Sequence, residues 1–134
     1  MKKLTFIITV IALMATASAA GQTASEMSRV RSEIETDLVE NILPFWMEKI
    51  IDPAGGFYGA VGREGMGNPA APKGGILNAR ILWTFSSAYR IYAIPEYKAI
   101  ADRAQRYFLE NFIDKTYGGV YWTVSPDGQP LDAQ

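Results

Sequence analysis

The amino-acid sequence contains neither cysteine nor histidine, and each absence excludes a class of chemistry. Without cysteine there is no disulfide, no thiolate metal ligand and no lipid attached to an N-terminal cysteine. Without histidine the chain lacks the side chain that most often acts as a general base near neutral pH, and it lacks the most common transition-metal ligand. Catalysis by these 134 residues would therefore depend on carboxylates, lysine, tyrosine or arginine.

The first twenty residues have the pattern of a secretory signal peptide. Lysines at positions 2 and 3 precede an apolar run over residues 4–14, and Ala17-Ser18-Ala19 is a small-residue cleavage pattern. The apolar run is too short to span a membrane, although a retained N-terminal anchor is the alternative. We predict a leader over residues 1–20, a periplasmic or secreted location, and no stable membrane insertion after cleavage.

The mature region, residues 21–134, is predicted to form part of one globular domain. Of the 13 Lys and Arg residues two lie in the leader, so 11 basic residues remain against 14 acidic ones. No basic patch indicates nucleic acid as a partner. Hydrophobic residues make up 49% of the chain, which is enough to build a core.

Apolar residues at three- and four-residue spacing predict three helices. The first extends from about Ser25, a candidate N-cap, to Lys49, and Pro44 is expected to kink or interrupt its last turns. The second covers about Gly75–Tyr92, and the third about Pro95–Phe112, with Pro95 in the favoured first turn.

Within these helices, periodicity separates predicted core positions from predicted surface positions. Trp83 and Phe85 are predicted to be core residues of the second helix. The third helix has an apolar stripe that we expect to be buried: Tyr97, Ile100, Ala101, Ala104, Phe108 and Phe112. Its charged residues are expected to face solvent: Lys98, Asp102, Arg103 and Arg106.

Two loops resemble each other, one after the first helix and one after the third. Both have an apolar residue and an aspartate, then a Gly-Gly pair, then an apolar and an aromatic residue: Ile51 to Tyr58 and Ile113 to Tyr121. Aligning the Gly-Gly pairs predicts an internal repeat of helical hairpins with short β-ribbons in the loops. Asp127-Gly128 is a typical tight-turn dipeptide that would close the second ribbon. Asp52 and Asp114 are interpreted as turn residues.

A single arginine, Arg80, lies among the apolar residues of the second helix. Arginine is seldom buried without a partner, so Arg80 is expected either to pair with a structural carboxylate or to bind the oxygens of a ligand. The residues alone leave both interpretations open. Lys73, just before this helix, contacts substrate or brackets the helix, and we favour the structural role.

Three blocks of the sequence resemble cellobiose 2-epimerases, which belong to the N-acylglucosamine 2-epimerase superfamily. The blocks are Asp52 to Gly59, Lys73 to Tyr89, and Asp114 to Asp132, in the same order and with similar gaps. The resemblance implies an all-α fold that is part of an (α/α)6 toroid. It also implies an enzyme that inverts C2 of the reducing-end sugar of a disaccharide through an enediolate, with no metal and no other cofactor.

In this resemblance the family's active-site arginine corresponds to Arg80, which is predicted to be catalytic and to bind substrate. Tyr58 is a second candidate contact to the sugar, although packing of its loop onto the helices is favoured. The family's two catalytic histidines and its active-site tyrosine have no counterpart here. We therefore expect a truncated N-terminal fragment, inactive alone, with apolar helix faces that promote aggregation.

Three other functions remain open at this point. An aldose–ketose isomerase of the same superfamily would use the same enediolate and stop at the ketose. A carbohydrate-binding fragment without chemistry is consistent with the absence of histidine. A glycoside hydrolase or lyase on a similar toroid would need paired carboxylates, for which Asp52 and Asp114 are poor candidates.

Overall fold

The fold is described from a computed structural model for residues 23–133, so the predicted signal peptide lies outside the described residues. The chain divides into two compact units, with the boundary after Pro44, and each is described by itself. No helix among residues 23–133 is long and apolar enough to cross a lipid bilayer.

The first unit is helical throughout its described part. Helix α1 covers residues 23–37, a π-helical turn covers Leu38–Ile42, and helix α2 (Leu43–Glu48) begins with the last two residues of this unit and continues past the boundary. Because the chain is already helical at Thr23, the prediction of Ser25 as N-cap was wrong.

Proline explains the interruption between α1 and α2. Pro44 has no N–H, and its ring would collide with the carbonyl group four residues earlier. The helix widens just before it, where the N–H of Leu43 donates to the carbonyl of Leu38 in an i to i−5 bond. The predicted interruption is confirmed, and it lies in the turn that precedes the proline.

The second unit is built on an antiparallel pair of helices. Helix α3 (Gly75–Tyr92) and helix α4 (Pro95–Asn111) have the predicted positions, and α4 ends one residue earlier than expected. Ala93 connects them in the left-handed conformation with φ +54°, and its N–H donates to the carbonyl of Tyr89. Pro95 occupies the first turn of α4, where its missing N–H costs nothing.

A small antiparallel sheet covers one end of this helix pair. Strands β1 (Lys73–Gly74), β2 (Tyr121–Val124) and β3 (Pro130–Ala133) lie in the order β1-β2-β3. The Asp127-Gly128 turn joins β2 to β3, with Gly128 at φ +89°. The described chain is therefore mostly helical with a three-stranded sheet, and the all-α prediction holds only in part.

The two Gly-Gly loops contain fewer paired β-residues than the sequence predicts. Each contains one isolated antiparallel bridge, Ile51 with Phe57 in the first loop and Ile113 with Val120 in the second. Neither bridge extends within its loop into a β-ribbon. The first loop is followed by an irregular segment, whereas the second continues directly into β2.

Burial in the second unit confirms most of the predicted apolar stripe of α4. Four positions of α3 and α4 differ from the prediction. Tyr107 is buried although it was not predicted, whereas Phe108 is only half-buried. Arg103 is half-buried rather than facing solvent. On α3 Phe85 is buried as predicted, but Trp83 is 72% exposed, so the prediction of Trp83 as a core residue was wrong. Residues two positions apart on an α-helix point about 200° apart around its axis, so Trp83 and Phe85 could not both face one core.

Candidate active site

Helix α3 has one buried face and one exposed face. Its buried residues recur at three- and four-residue spacing: Gly75, Asn78, Ile81, Phe85 and Ala88. Arg80 lies off this face and is exposed. Ile76, four residues earlier, and Trp83, three residues later, share the exposed face and are 45% and 72% exposed. The result is a guanidinium group flanked by exposed apolar and aromatic side chains.

Arg80 makes no hydrogen bond and no ion pair with any of residues 23–131. The ion pairs of this part of the chain involve other residues, at Arg29–Glu33, Lys73–Asp52 and Lys98–Asp102. The interpretation in which a structural carboxylate neutralises Arg80 therefore finds no support in the described residues. An exposed guanidinium presents its donors in a planar fork that matches pairs of ligand oxygens.

An open pocket of about 190 Å³ lies beside the same part of α3. Ile76 and Ala79, two exposed residues of the first two turns, form one wall. The second Gly-Gly loop and the start of β2 form the other wall, and Trp122 there is 54% exposed. The remaining lining residues are Gly75, Phe108, Val120 and Tyr121. Apolar and aromatic walls of this kind suit the apolar face of a ring better than a charged group.

Tyr58, the second predicted contact, is half-buried and packs on its own loop region. Its ring lies against Gly67, where a Cβ atom would overlap it. Tyr58 and Arg80 make no hydrogen bond with each other, so the described contacts do not bring the two predicted site residues together. Tyr58 thus packs within the irregular segment that follows its loop, and packing of the loop onto the helices stays a prediction.

A buried ion pair at the start of α3 is the feature that the sequence reasoning missed. Lys73 Nζ lies 2.8 Å from Asp52 Oδ2, and the two side chains are 1% and 4% exposed. Lys73 Nζ also donates to the carbonyl oxygen of Gly55 at 2.7 Å. Lys73 thus has a structural role, as predicted, but Asp52 does more than form a turn.

Two residues of α4 complete the surroundings of this pair. Arg103 donates from Nε to the carbonyl of Gly56 at 3.0 Å and from its terminal nitrogen to the carbonyl of Asp52. The ring of Tyr107 lies under Lys73 Nζ, 5.0 Å from nitrogen to ring centre. The available signal for this ion pair was the position of Lys73, between a proline and a Gly-Gly pair. Nothing in the sequence identifies Asp52, 21 residues earlier, as its partner.

The second Gly-Gly loop has a different electrostatic character. The backbone N–H groups of Tyr117 and Thr116 donate to Asp114 and hold the pKa of its carboxyl group below the ordinary value. Partial desolvation, followed by the nearby Asp114 charge, raises the pKa of the Tyr121 hydroxyl group. Among residues 23–131 no cluster of three or more acidic side chains is arranged to hold a metal ion.

Residues 56–134 match the family model described as N-acylglucosamine 2-epimerase. Because this match covers more than half of the sequence, the chain belongs to the N-acylglucosamine 2-epimerase family.

Particular relatives show the same likeness in sequence and in structure. The cellobiose 2-epimerase of Bacteroides fragilis is 47% identical over 106 residues, which are 78% of this chain and 27% of that protein. The structure of cellobiose 2-epimerase from Spirochaeta thermophila superimposes with a TM-score of 0.73 and 42% identity, over 78% of this chain and 26% of that one. A D-mannose isomerase structure gives a TM-score of 0.62 and 27% identity, over 70% and 24%. The chain thus spans 27% or less of the length of these relatives.

Proposed function

We propose that this chain is part of a sugar 2-epimerase that inverts C2 of the reducing-end residue of a disaccharide of the cellobiose or mannobiose type. The proposal is supported by the family membership and by the cellobiose 2-epimerases among its relatives. Within the chain it rests on one observation: Arg80 is exposed, has no partner among residues 23–131, and follows Ile76 and Ala79 on α3, which line an apolar pocket.

The chemistry explains why such an arginine is needed. Removing the C2 proton of an opened sugar places negative charge on the oxygens at C1 and C2, giving an enediolate. A fixed guanidinium within hydrogen-bond reach of those oxygens stabilises that charge more than it stabilises the neutral sugar, and this difference lowers the barrier. Return of the proton to the opposite face gives the epimer. In this proposal the base and the acid come from parts of the enzyme outside these 134 residues, which contain no histidine.

The proposal extends to the architecture and the location of the complete enzyme. The helix pair and its Gly-Gly loops would form part of an (α/α)6 toroid, in which the 134 residues are inactive without the remainder. Export by the leader over residues 1–20 would place the enzyme in the periplasm or outside the cell, where oligosaccharides are available.

The test is turnover by the complete product of the gene that encodes this chain. We expect it to convert cellobiose to glucosylmannose and, in D2O, to incorporate solvent deuterium at C2 of the reducing-end sugar. Arg80→Ala is expected to lower kcat/KM by about 100- to 1,000-fold while the protein remains folded, because one preorganised donor is lost. Arg80→Lys keeps the charge but loses the fork, and we expect intermediate activity.

Arg90→Ala is the matched control, since Arg90 is another exposed arginine on the same helix. It should retain the activity of the unsubstituted protein. A folded Arg80→Ala variant with undiminished turnover would show that Arg80 has no catalytic role. Absence of any epimerisation by the complete protein would reject the proposed function itself.

The second candidate is an aldose–ketose isomerase, favoured by the structural likeness to a D-mannose isomerase. The same assay separates the two reactions, because an isomerase releases a ketose rather than the C2 epimer. Sugar binding without either product would instead support a carbohydrate-binding protein.

A further inference from the structure

We infer that Asp52 and Lys73 are positioning residues that hold the first turn of α3 and thereby orient Arg80. The inference rests on the proposed function, since it assigns the pair a role in turnover through Arg80. Its physical basis is a buried ion pair placed where a helix begins without a side-chain cap.

The pair is fixed from several sides. Lys73 Nζ contacts Asp52 Oδ2 at 2.8 Å and the carbonyl of Gly55 at 2.7 Å, and both charged side chains are almost fully buried. Asp52 Oδ1 accepts from the N–H of Ala54 at 2.9 Å, so one oxygen closes the loop while the other holds the lysine. Two charges removed from water in this way need well-defined geometry, and Lys73 therefore has little freedom to move.

Lys73 transmits this rigidity to α3 because only Gly74, the N-cap residue, separates it from the helix. Gly74 provides no side-chain cap, and its backbone is extended with φ −94° and ψ 135°. Lys73 and Gly74 pair with Val124 and Thr123 of β2. The helix start is thus held by the sheet on one side and tied by the ion pair to the first Gly-Gly loop on the other.

Gly75, the first helical residue, shows how closely the helix start is packed. A Cβ atom at this position would lie 3.1 Å from the carbonyl oxygen of Tyr121 and 3.3 Å from the ring of Phe112. A small rotation or shift of the first turn therefore changes contacts on several elements at once.

Arg80 takes its position from this helix start. It lies five residues beyond Gly75, about 7.5 Å along the helix axis at 1.5 Å per residue. Because no residue among 23–131 binds its guanidinium group, the helix backbone fixes only the Cα–Cβ bond of Arg80 and therefore the region that the guanidinium group can reach. Misplacement of a catalytic group by about 1 Å lowers turnover by about 100-fold. Loosening the helix start is therefore expected to reduce kcat through Arg80.

The test is a double-mutant cycle in the complete gene product. The combined variant Asp52→Asn and Lys73→Met removes both charges, keeps the side-chain shapes, and avoids leaving one buried charge unpaired. We expect a melting temperature within a few degrees of the unsubstituted protein, a kcat about 10- to 100-fold lower, and a KM changed by less than about threefold. In an Arg80→Ala background, the same pair substitution is expected to have almost no further effect on kcat.

The exposed i,i+4 pair of α4 provides the matched control. Lys98 Nζ lies 2.6 Å from Asp102 Oδ2 with both side chains about half exposed. Lys98→Met with Asp102→Asn should leave kcat unchanged with or without Arg80, because an exposed pair contributes little and lies away from the start of α3.

Two results would overturn the inference. One is a folded pair variant that keeps the kcat of the unsubstituted protein. The other is an equal loss of kcat with and without Arg80, which would show that the pair acts on the fold in general. Undiminished turnover of Arg80→Ala alone would instead contradict the role of Arg80 under the proposed function. If the combined variant does not fold, Asp52→Glu, which keeps both charges and shifts the carboxylate by one methylene, replaces it with the same outcomes.

Discussion

The two Gly-Gly loops share their closing hydrogen bonds but have very different surroundings. In the first, the N–H of Asp52 donates to the carbonyl of Gly56 and that of Tyr58 donates to the carbonyl of Ile50, at 3.3 and 2.8 Å. In the second, the equivalent bonds join Asp114 to Gly119 and Tyr121 to Phe112, at 3.1 and 2.8 Å. In both, the aspartate side chain accepts from the N–H two residues later. One local sequence pattern therefore produces equivalent closing hydrogen bonds twice, although the second loop has one more residue before its Gly-Gly pair.

The surroundings decide what each aspartate does. Asp52 is 3% exposed and forms an ion pair with Lys73. Asp114 is only half-buried, and its charge is stabilised by backbone N–H groups of its own loop. A short turn motif thus specifies its hydrogen bonds but not its depth. The first loop has become part of the anchoring of α3, whereas the second leads into a strand beside the pocket.

The largest difference between the loops is expected on substituting the two aspartates. Asp52→Asn leaves Lys73 buried without its counter-charge, which should lower the free energy of unfolding by about 3–5 kcal/mol. Asp114→Asn keeps the side-chain acceptor and exposes no buried charge, so its effect should be much smaller. Urea denaturation of the complete gene product measures both. Similar losses in the two variants would show that the buried pair adds nothing beyond the loop itself.

The glycines provide the next comparison. Gly56 has φ +60°, and a Cβ atom there would lie 2.6 Å from the ring of buried Tyr107. Gly119 has φ +87°, with nothing within 4 Å of a Cβ atom. Gly119→Ala should cost about 1–2 kcal/mol for backbone strain alone, and Gly56→Ala about 3 kcal/mol because overpacking is added.

The same denaturation experiment tests these values. The control is Gly56→Ala measured in a Tyr107→Leu background against Tyr107→Leu alone, since a smaller side chain at 107 should remove most of the excess loss. Equal costs at positions 56 and 119 would contradict the close contact with Tyr107.

Local patterns predicted the parts of the fold that depend on local physics. The bounds of α3 follow from apolar spacing, and the start of α4 follows from a proline whose φ suits a first helical turn. The closing hydrogen bonds of the two Gly-Gly loops follow from the positions of their aspartate and glycine residues. The interruption of the helix before Pro44 follows from the backbone N–H that proline lacks.

Contacts between distant segments were not predictable in this way. Trp83 and Phe85 are equally apolar, and only the packing of α3 on α4 determines that Phe85 is buried. Arg103 looks like a surface residue of α4, yet it reaches carbonyl groups about 50 residues away. For the candidate site, the importance of Arg80 came from a resemblance, and its role in turnover stays a prediction. Its exposure and lack of a described partner came from the structure.

The smallest expected effect is a dependence on pH confined to the second loop. The N–H groups of Tyr117 and Thr116 hold the pKa of Asp114 below the ordinary value of 3.8. The folded protein therefore gives up this proton more readily than the unfolded chain. The stabilisation is fully present above about pH 4 and is lost as pH falls through the lowered pKa of the folded state.

Asp114→Asn should consequently have a slightly lower melting temperature than the unsubstituted protein at pH 6, and the deficit should shrink below pH 4. NMR titration of the Asp114 carboxyl carbon in the unsubstituted protein measures the pKa directly. Asp127, whose pKa is lowered chiefly by the Ser125 hydroxyl group, serves as a reference outside the Gly-Gly motif. A deficit that stays constant from pH 6 to pH 2 would mean that the carboxylate charge adds nothing to the loop. The closing hydrogen bonds shared by the two loops would then depend on backbone geometry and the uncharged acceptor alone.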